Sequence, residues 1–230
     1  MGFPLKDITI YHEGEIIVDA PMYWEFRTKA NFIADFYHDR MGGYKPPKTG
    51  RICIRFVERT NCRNSHYFGS ICTSEITIDA NTYLNLTEAQ KSRYILDLLH
   101  TSIIDLADVY NWEKKYFQDA YDYIIQSDFQ FRRKYSSKQS PGRKHTACVV
   151  LEKTETQAAL RVLITGESRV DKVILEKKNW YWWDSTYKLA KQCKWLDNHS
   201  FGFAKDGKKC CLSIVSEEVT NDFEFGERDF

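Results

Sequence analysis

Apolar residues recur with helical spacing most clearly in YILDLLHTSIIDLADVYNW, Tyr94 to Trp112. Ile95, Leu98, Leu99, Ile103, Leu106 and Tyr110 form one stripe, widened by Leu96 and Ile104, which predicts an amphipathic helix. Thr87-Glu88-Ala89-Gln90 supplies a capping box ahead of it: the threonine oxygen can take the Gln90 backbone N–H, while the Gln90 side chain reaches back to the threonine N–H. Asn111 reads as the N-cap of a second helix, in which Trp112, Tyr116, Phe117, Ala120, Tyr121 and Ile124 repeat at the same period. So short a joint predicts a helical hairpin.

Two-residue alternation governs much of the rest. DITIYHEGEIIVDA reads as two strands around a tight turn at His12-Glu13-Gly14. RICIRFVER, residues 51 to 59, sets Ile52, Ile54 and Phe56 against Arg51, Arg55 and Glu58, a half-buried strand, and HYFGSICTSEITIDA adds two short ones. YWEFRTKANFIADFYHDRMGG is ambiguous: Phe26, Ala30, Ile33 and Tyr37 fit one helical face, yet the segment is aromatic enough for a strand. Gly42-Gly43 and Pro46-Pro47 then mark a loop. After Ser127, FQFRRKY, ACVVLEK, AALRVLI and DKVILEK are strand-like runs. NWYWWDSTYKLAKQC predicts a further helix near residues 180–192, and SFGFAKD with KKCCLSIV a closing hairpin around Asp206-Gly207.

These elements predict an α+β fold, with antiparallel β-sheet around a central helical hairpin. The chain reads as one α+β domain over residues 1–230. If the loop SSKQSPGRK, residues 136 to 144, is a joint, the lobes are 1–135 and 136–230.

Composition narrows the class. In 230 residues, 43% are hydrophobic and 28% charged, the balance of an ordinary globular chain with material for a substantial core. Thirty-three basic residues against 32 acidic ones give a net charge of +1, so no global bias toward nucleic acid or membrane arises. No apolar run is long enough for a signal peptide or a membrane span. Seven cysteines, without a C-x-x-C, fit free thiols in a reducing compartment better than a disulfide frame or a zinc site, which points to the cytoplasm.

Candidate chemistry is sparse. No H-E-x-x-H, G-x-S-x-G, phosphate loop or dinucleotide fingerprint occurs, and the sequence calls for no cofactor and no metal. His100 follows Asp97 by three residues, so the two can touch, but a di-iron bundle would require histidine on the second helix as well. His100 therefore reads as a structural histidine bonded to Asp97 or facing solvent, and Asp97, Asp105 and Asp108 as a solvated face. Cys62 and His66 are four apart, and nothing else in the sequence activates that thiol. Arg132, Arg133, Lys134, Lys138, Arg143 and Lys144 form a basic run around Tyr135, which suits phosphate contact or a solvated loop. The tail SEEVTNDFEFGERDF interleaves Glu217, Glu218, Asp222, Glu224, Glu227 and Asp229 with Phe223, Phe225 and Phe230, as an acidic docking segment would. The rings of NWYWWDSTY are too many for one helix face, so some serve packing and others a surface patch.

Three stretches together, YILDLLHTSIIDLADVYNWEKKYFQDAY, SPGRKHTACVVLE and KQCKWLDNHSFGFAKDGKK, resemble the bacterial immunity proteins of polymorphic toxin and contact-dependent growth inhibition systems. The likeness spans roughly residues 84 to 214 and is one of helix, strand and turn spacing. It implies a cytoplasmic, non-enzymatic protein that binds a cognate toxin domain and blocks it. It carries over no binding residues. Nuclease toxins present basic clefts, so an acidic patch is the natural inhibitor surface. The partner-binding expectation therefore rests on Asp97, Asp105, Asp108, Glu217, Glu218, Asp222 and Glu224. The alternative is a nucleic-acid-associated accessory protein using the basic 132–144 segment.

Overall fold

Strand β1 (Asp7–Glu13), helix α1 (Ala20–Arg40) and strand β2 (Arg51–Val57) open the chain as a parallel crossover in the computed structural model, which describes residues 5–14, 20–58, 65–178 and 185–223. β2 pairs in parallel with β4 (Ile71–Thr77), and β3 (Ser65–Phe68) returns antiparallel on β4, giving the order β1-β2-β4-β3. Parallel strands need a long connection, and α1 provides it between β1 and β2. The α+β class holds, but this sheet is mostly parallel rather than antiparallel. β1 runs through Glu13 and pairs in parallel with β2, and residues 15–19, the expected second strand of the hairpin, lie outside the described residues.

Alternation fixes which side of this sheet is dry. Ile8, Ile10, Ile52, Ile54, Phe56 and Cys72 are buried on the side where α1 packs on β1 and α3 (Glu88–Tyr110) on β4. The intervening residues form the other face, where Arg51 Nε donates to Asp7 at 2.5 Å and Arg55 bridges Glu13 and Glu75. α2 (Ala80–Leu84) is a short helix capped by Asp79, whose Oδ1 accepts the Thr82 N–H at 3.0 Å.

The helical hairpin forms as expected from α3 and α4 (Lys114–Gln126). At the start of α3, Gln90 Oε1 accepts both the backbone N–H and the hydroxyl of Thr87, each at 2.9 Å. Asn111 differs from its expected role. It ends α3 in the left-handed region, φ 54°, with its N–H on the Ala107 carbonyl, and Glu113 is the N-cap of α4. Asparagine tolerates that conformation better than most residues, which makes it as apt for a C-cap as for an N-cap. α1 packs on β1, α3 and α4 together. A helix met on several sides needs apolar residues around most of its circumference, so Phe32, Ala34 and Phe36 are buried along with Phe26, Ala30, Ile33 and Tyr37. That breadth is why its sequence period is weak.

The chain divides into two compact units, Met1–Phe129 and Gln130–Phe230. The boundary precedes the expected lobe joint at 135/136 because β5 (Phe131–Lys134) pairs with β7 (His145–Lys153) and so belongs to the second unit. In that unit β5-β7-β8-β9 form an antiparallel sheet, with β6 (Lys138–Gln139) also on β7, β8 spanning Gln157–Gly166 and β9 Val170–Lys178. α5 (Ser185–Gln192) follows, where a helix was expected. A second antiparallel sheet contains β10 (Lys194–Trp195), β11 (Ser200–Lys205), β12 (Lys208–Ser213) and β13 (Val219–Asn221). Asp206 and Gly207, at φ 52° and 78°, form the expected two-residue turn between β11 and β12.

Candidate functional site

His100 does not contact Asp97 through a hydrogen bond. Its Nδ1 lies 2.8 Å from the hydroxyl of Tyr37, a fully buried residue of α1, and that hydroxyl also donates to the Phe117 carbonyl at 3.0 Å. Tyr37 has one proton for two acceptors. When it goes to the carbonyl, His100 Nδ1–H donates to the tyrosine oxygen; when it goes to Nδ1, the carbonyl contact is the weaker one. Burial lowers the His100 pKa, against the raising effects of Gln118, Asp122 and Asp97, while burial holds the Tyr37 hydroxyl well above its ordinary value. The His100 ring stacks on Tyr121 with centroids 4.2 Å apart. Tyr121 in turn donates to Asp97 Oδ1 at 2.7 Å, and Arg93 Nε donates to the same oxygen at 2.8 Å. Asp97 and His100 thus join α1, α3 and α4 to one another. Tyr37, Arg93 and Tyr121 complete this cluster. Tyr37 and Tyr121 gave a sequence signal, through their places in the helical repeats of α1 and α4, whereas Arg93 gave none.

Asp105 and Asp108 are placed differently. Both line a cleft of about 260 Å³ with Leu106 and Val109 of α3, Ser65 of β3 and Ser74 of β4. Successive helix residues advance by 100°, so Asp105 and Val109 share the flank of α3 turned away from Leu96, His100 and Ala107. Ser65 of the outermost strand shares the cleft, and Tyr110 Oη donates to its Oγ at 3.3 Å while the Tyr110 ring meets Tyr67 edge-on. Asp108 makes an ion pair with Lys114, both side chains half-exposed or more, a pair that water and salt weaken. Val109 and Phe68 are 63% and 79% exposed. The expected acidic trio is therefore split, with Asp97 consumed by internal bonds and Asp105 and Asp108 at an open cleft.

In the second unit the carboxylate of Asp222 serves the backbone, whereas Glu217 and Glu218 are exposed and bond through their main-chain carbonyls. Asp222 Oδ2 accepts the Lys209 N–H at 3.0 Å, the Ser213 N–H donates to the Glu218 carbonyl at 3.0 Å, and the Glu217 carbonyl accepts from Lys172. Glu217 sits at φ 55°. Glu224, Glu227 and Asp229, with Phe225 and Phe230, lie outside the described residues. Most of the basic run is locally partnered: Arg132 with Glu152 at 3.0 Å, Lys144 with Glu167 at 3.2 Å, and Lys138 Nζ with the Cys193 carbonyl at 2.5 Å, while Lys134 and Arg143 are exposed. Arg133 lies over the rings of Tyr135 and Tyr187. Such cations are poorly placed to follow a phosphate backbone.

Cys62 lies outside the described residues, as do residues 180–183 of the aromatic cluster, while His66 is exposed on β3. Among the described residues no group of three or more His, Cys, Asp or Glu is arranged to hold a metal ion, and no helix is long and apolar enough to cross a membrane. Comparison with protein families, curated proteins and solved structures finds no match to this chain.

Proposed function

We propose that this protein is a non-enzymatic, cytoplasmic immunity protein, which binds a cognate bacterial toxin domain and neutralises it by covering its active site. The observation that carries the reading is the cleft beside β3, where Asp105 and Asp108 stand next to exposed Val109. Acidic side chains steer a basic surface into place, and an apolar neighbour supplies contact area once it arrives. The sequence resemblance supports the same role. A toxin with a basic cleft, such as a nuclease, is the partner that this surface suits.

Co-expression with the protein encoded beside this one tests the reading. A complex that survives purification, and growth rescue where the neighbour is toxic, are the expected results. Asp105→Asn with Asp108→Asn should weaken binding at least about tenfold, mainly by slowing association at low salt. Absence of both complex and rescue would refute the proposal.

A further inference from the structure

The second unit holds a cavity of about 180 Å³ beside the end of α5, room for about six water molecules at about 30 Å³ each. Its floor is apolar: Val149 of β7, Ala190 of α5, Cys193 just after that helix and Phe201 of β11 all line it and are buried. Tyr135, whose N–H donates to the Val149 carbonyl at 2.9 Å, forms one wall. Lys138 and Lys191 line the same cavity and are exposed, so they stand at its mouth. Among the described residues neither ammonium has a carboxylate partner. Lys138 is fixed in place: β6 pairs with β7 at Ala147, and the Trp195 indole N–H donates to the Lys138 carbonyl at 2.8 Å. Its Nζ donates to the Cys193 carbonyl. That bond uses one of three N–H donors on a neutral acceptor, and the helix end offsets only part of the charge. Burial pushes the Cys193 thiol up to about 12, so it stays neutral and supplies no internal anion.

We infer that this cavity binds a small carboxylic acid with a branched apolar body, its carboxylate on Lys138 and Lys191 and its hydrocarbon part against Val149, Ala190 and Phe201. The lining selects that class, a mostly apolar pocket with a few polar groups that fix orientation. A hydrocarbon body gains by leaving water for the floor. The two cations favour a single negative charge at the mouth, where water still reaches all three groups and the desolvation cost is small. A neutral amphiphile would leave both ammonium groups without an anion. Inorganic phosphate would leave the floor uncovered. The inference concerns the second unit alone and does not depend on the immunity reading, whose cleft lies in the first.

The test is an NMR titration of the full chain with isovalerate, read at the backbone amides. The expected result is saturable binding with a Kd on the order of 1 mM and shifts at Val149, Ala190, Cys193 and Phe201. Isovaleramide, the uncharged isostere, should bind about tenfold more weakly. Lys138→Gln should weaken isovalerate by a similar factor. Because that change also removes a bond to the end of α5, Lys191→Gln, on the exposed side of the helix, is the second variant, with an expected loss of about threefold. N-acetylglutamate amide, which carries its carboxylate on a polar main chain, should bind more weakly than isovalerate. If it binds as tightly, the occupant is an acidic protein side chain and the small-acid assignment falls. Equal binding of isovaleramide or of inorganic phosphate, shifts outside the cavity, full affinity in both variants, or no saturation by about 20 mM would each overturn it.

Discussion

Tyr37→Phe isolates the cluster that ties the three helices of the first unit. The substitution keeps the ring, which is 0% exposed, and removes one hydroxyl. His100 Nδ1 then loses its 2.8 Å partner, and the Phe117 carbonyl loses a donor at 3.0 Å. A buried polar group left without its partner costs about 1–3 kcal/mol. The carbonyl still serves the α4 ladder and His100 is only half-buried, so the low end applies to each and the total is about 2 kcal/mol. For a unit of this size that corresponds to a fall in Tm on the order of 5 °C. Hydrogen exchange read by mass spectrometry locates the effect: peptides from α1, α3 and α4 should lose protection while those of β7 and β8 keep theirs. In a double-mutant cycle, Tyr37→Phe and His100→Leu should couple by about 1 kcal/mol, because they remove the same bond. A loss below about 0.5 kcal/mol, or additivity of the two changes, would refute the structural assignment of His100.

Three further outcomes follow from the geometry. His12, 3.8 Å from Glu58, and His100 both have pKa values lowered from 6.5, chiefly by burial. Below 6.5 the unfolded chain binds more protons than the folded one, so stability should fall as pH drops from 6.5 toward the folded values. Urea midpoints at pH 7.5 and 5.5 should differ less in His12→Phe and His100→Phe, and an unchanged slope would count against the burial argument. Gly202→Ala places a Cβ 2.0 Å from the Cys210 carbonyl and 2.6 Å from Cys211 Cα, both backbone atoms that cannot yield. It should destabilise the second unit by about 3 kcal/mol or more, visible as early loss of protection in β11 and β12. Finally, because Arg132, Arg133, Lys138 and Lys144 are held by local acids, a carbonyl and rings, generic single-stranded DNA should show no salt-sensitive complex. A complex abolished by reversing Arg132 and Lys144 would revive the nucleic-acid alternative.

Local signals told most where they were periodic. The α3–α4 hairpin, the Asp206-Gly207 turn and the antiparallel strands of the second unit were legible because each is written in neighbouring residues. The parallel pairing of β1, β2 and β4 was not. Its strands keep one polar face, with Arg51, Arg55, Asp7 and Glu13 alternating against isoleucines, whereas parallel strands usually read as continuous apolar runs. Alternation reveals a half-buried strand and says nothing of its partner's direction. The site shows the same limit. Asp97, Asp105 and Asp108 look equivalent on a helical wheel. Only Tyr121 from α4 and Ser65 from β3, distant in sequence, separate an internal carboxylate from two at a cleft. From the sequence His100 reads as bonded to Asp97 or facing solvent, but its partner Tyr37 lies 63 residues away, beyond any local rule.

The division at Phe129/Gln130 bears on how the chain comes to be folded. Every described strand pairs within its own unit, and each unit is one uninterrupted stretch of sequence. During synthesis, the segment ending at α4 therefore leaves the ribosome holding every strand its sheet requires. It can close its core while the remaining residues are still being translated. The cleft at Asp105 and Asp108 belongs wholly to that first segment. A nascent chain can thus form that cleft before the second unit has been translated.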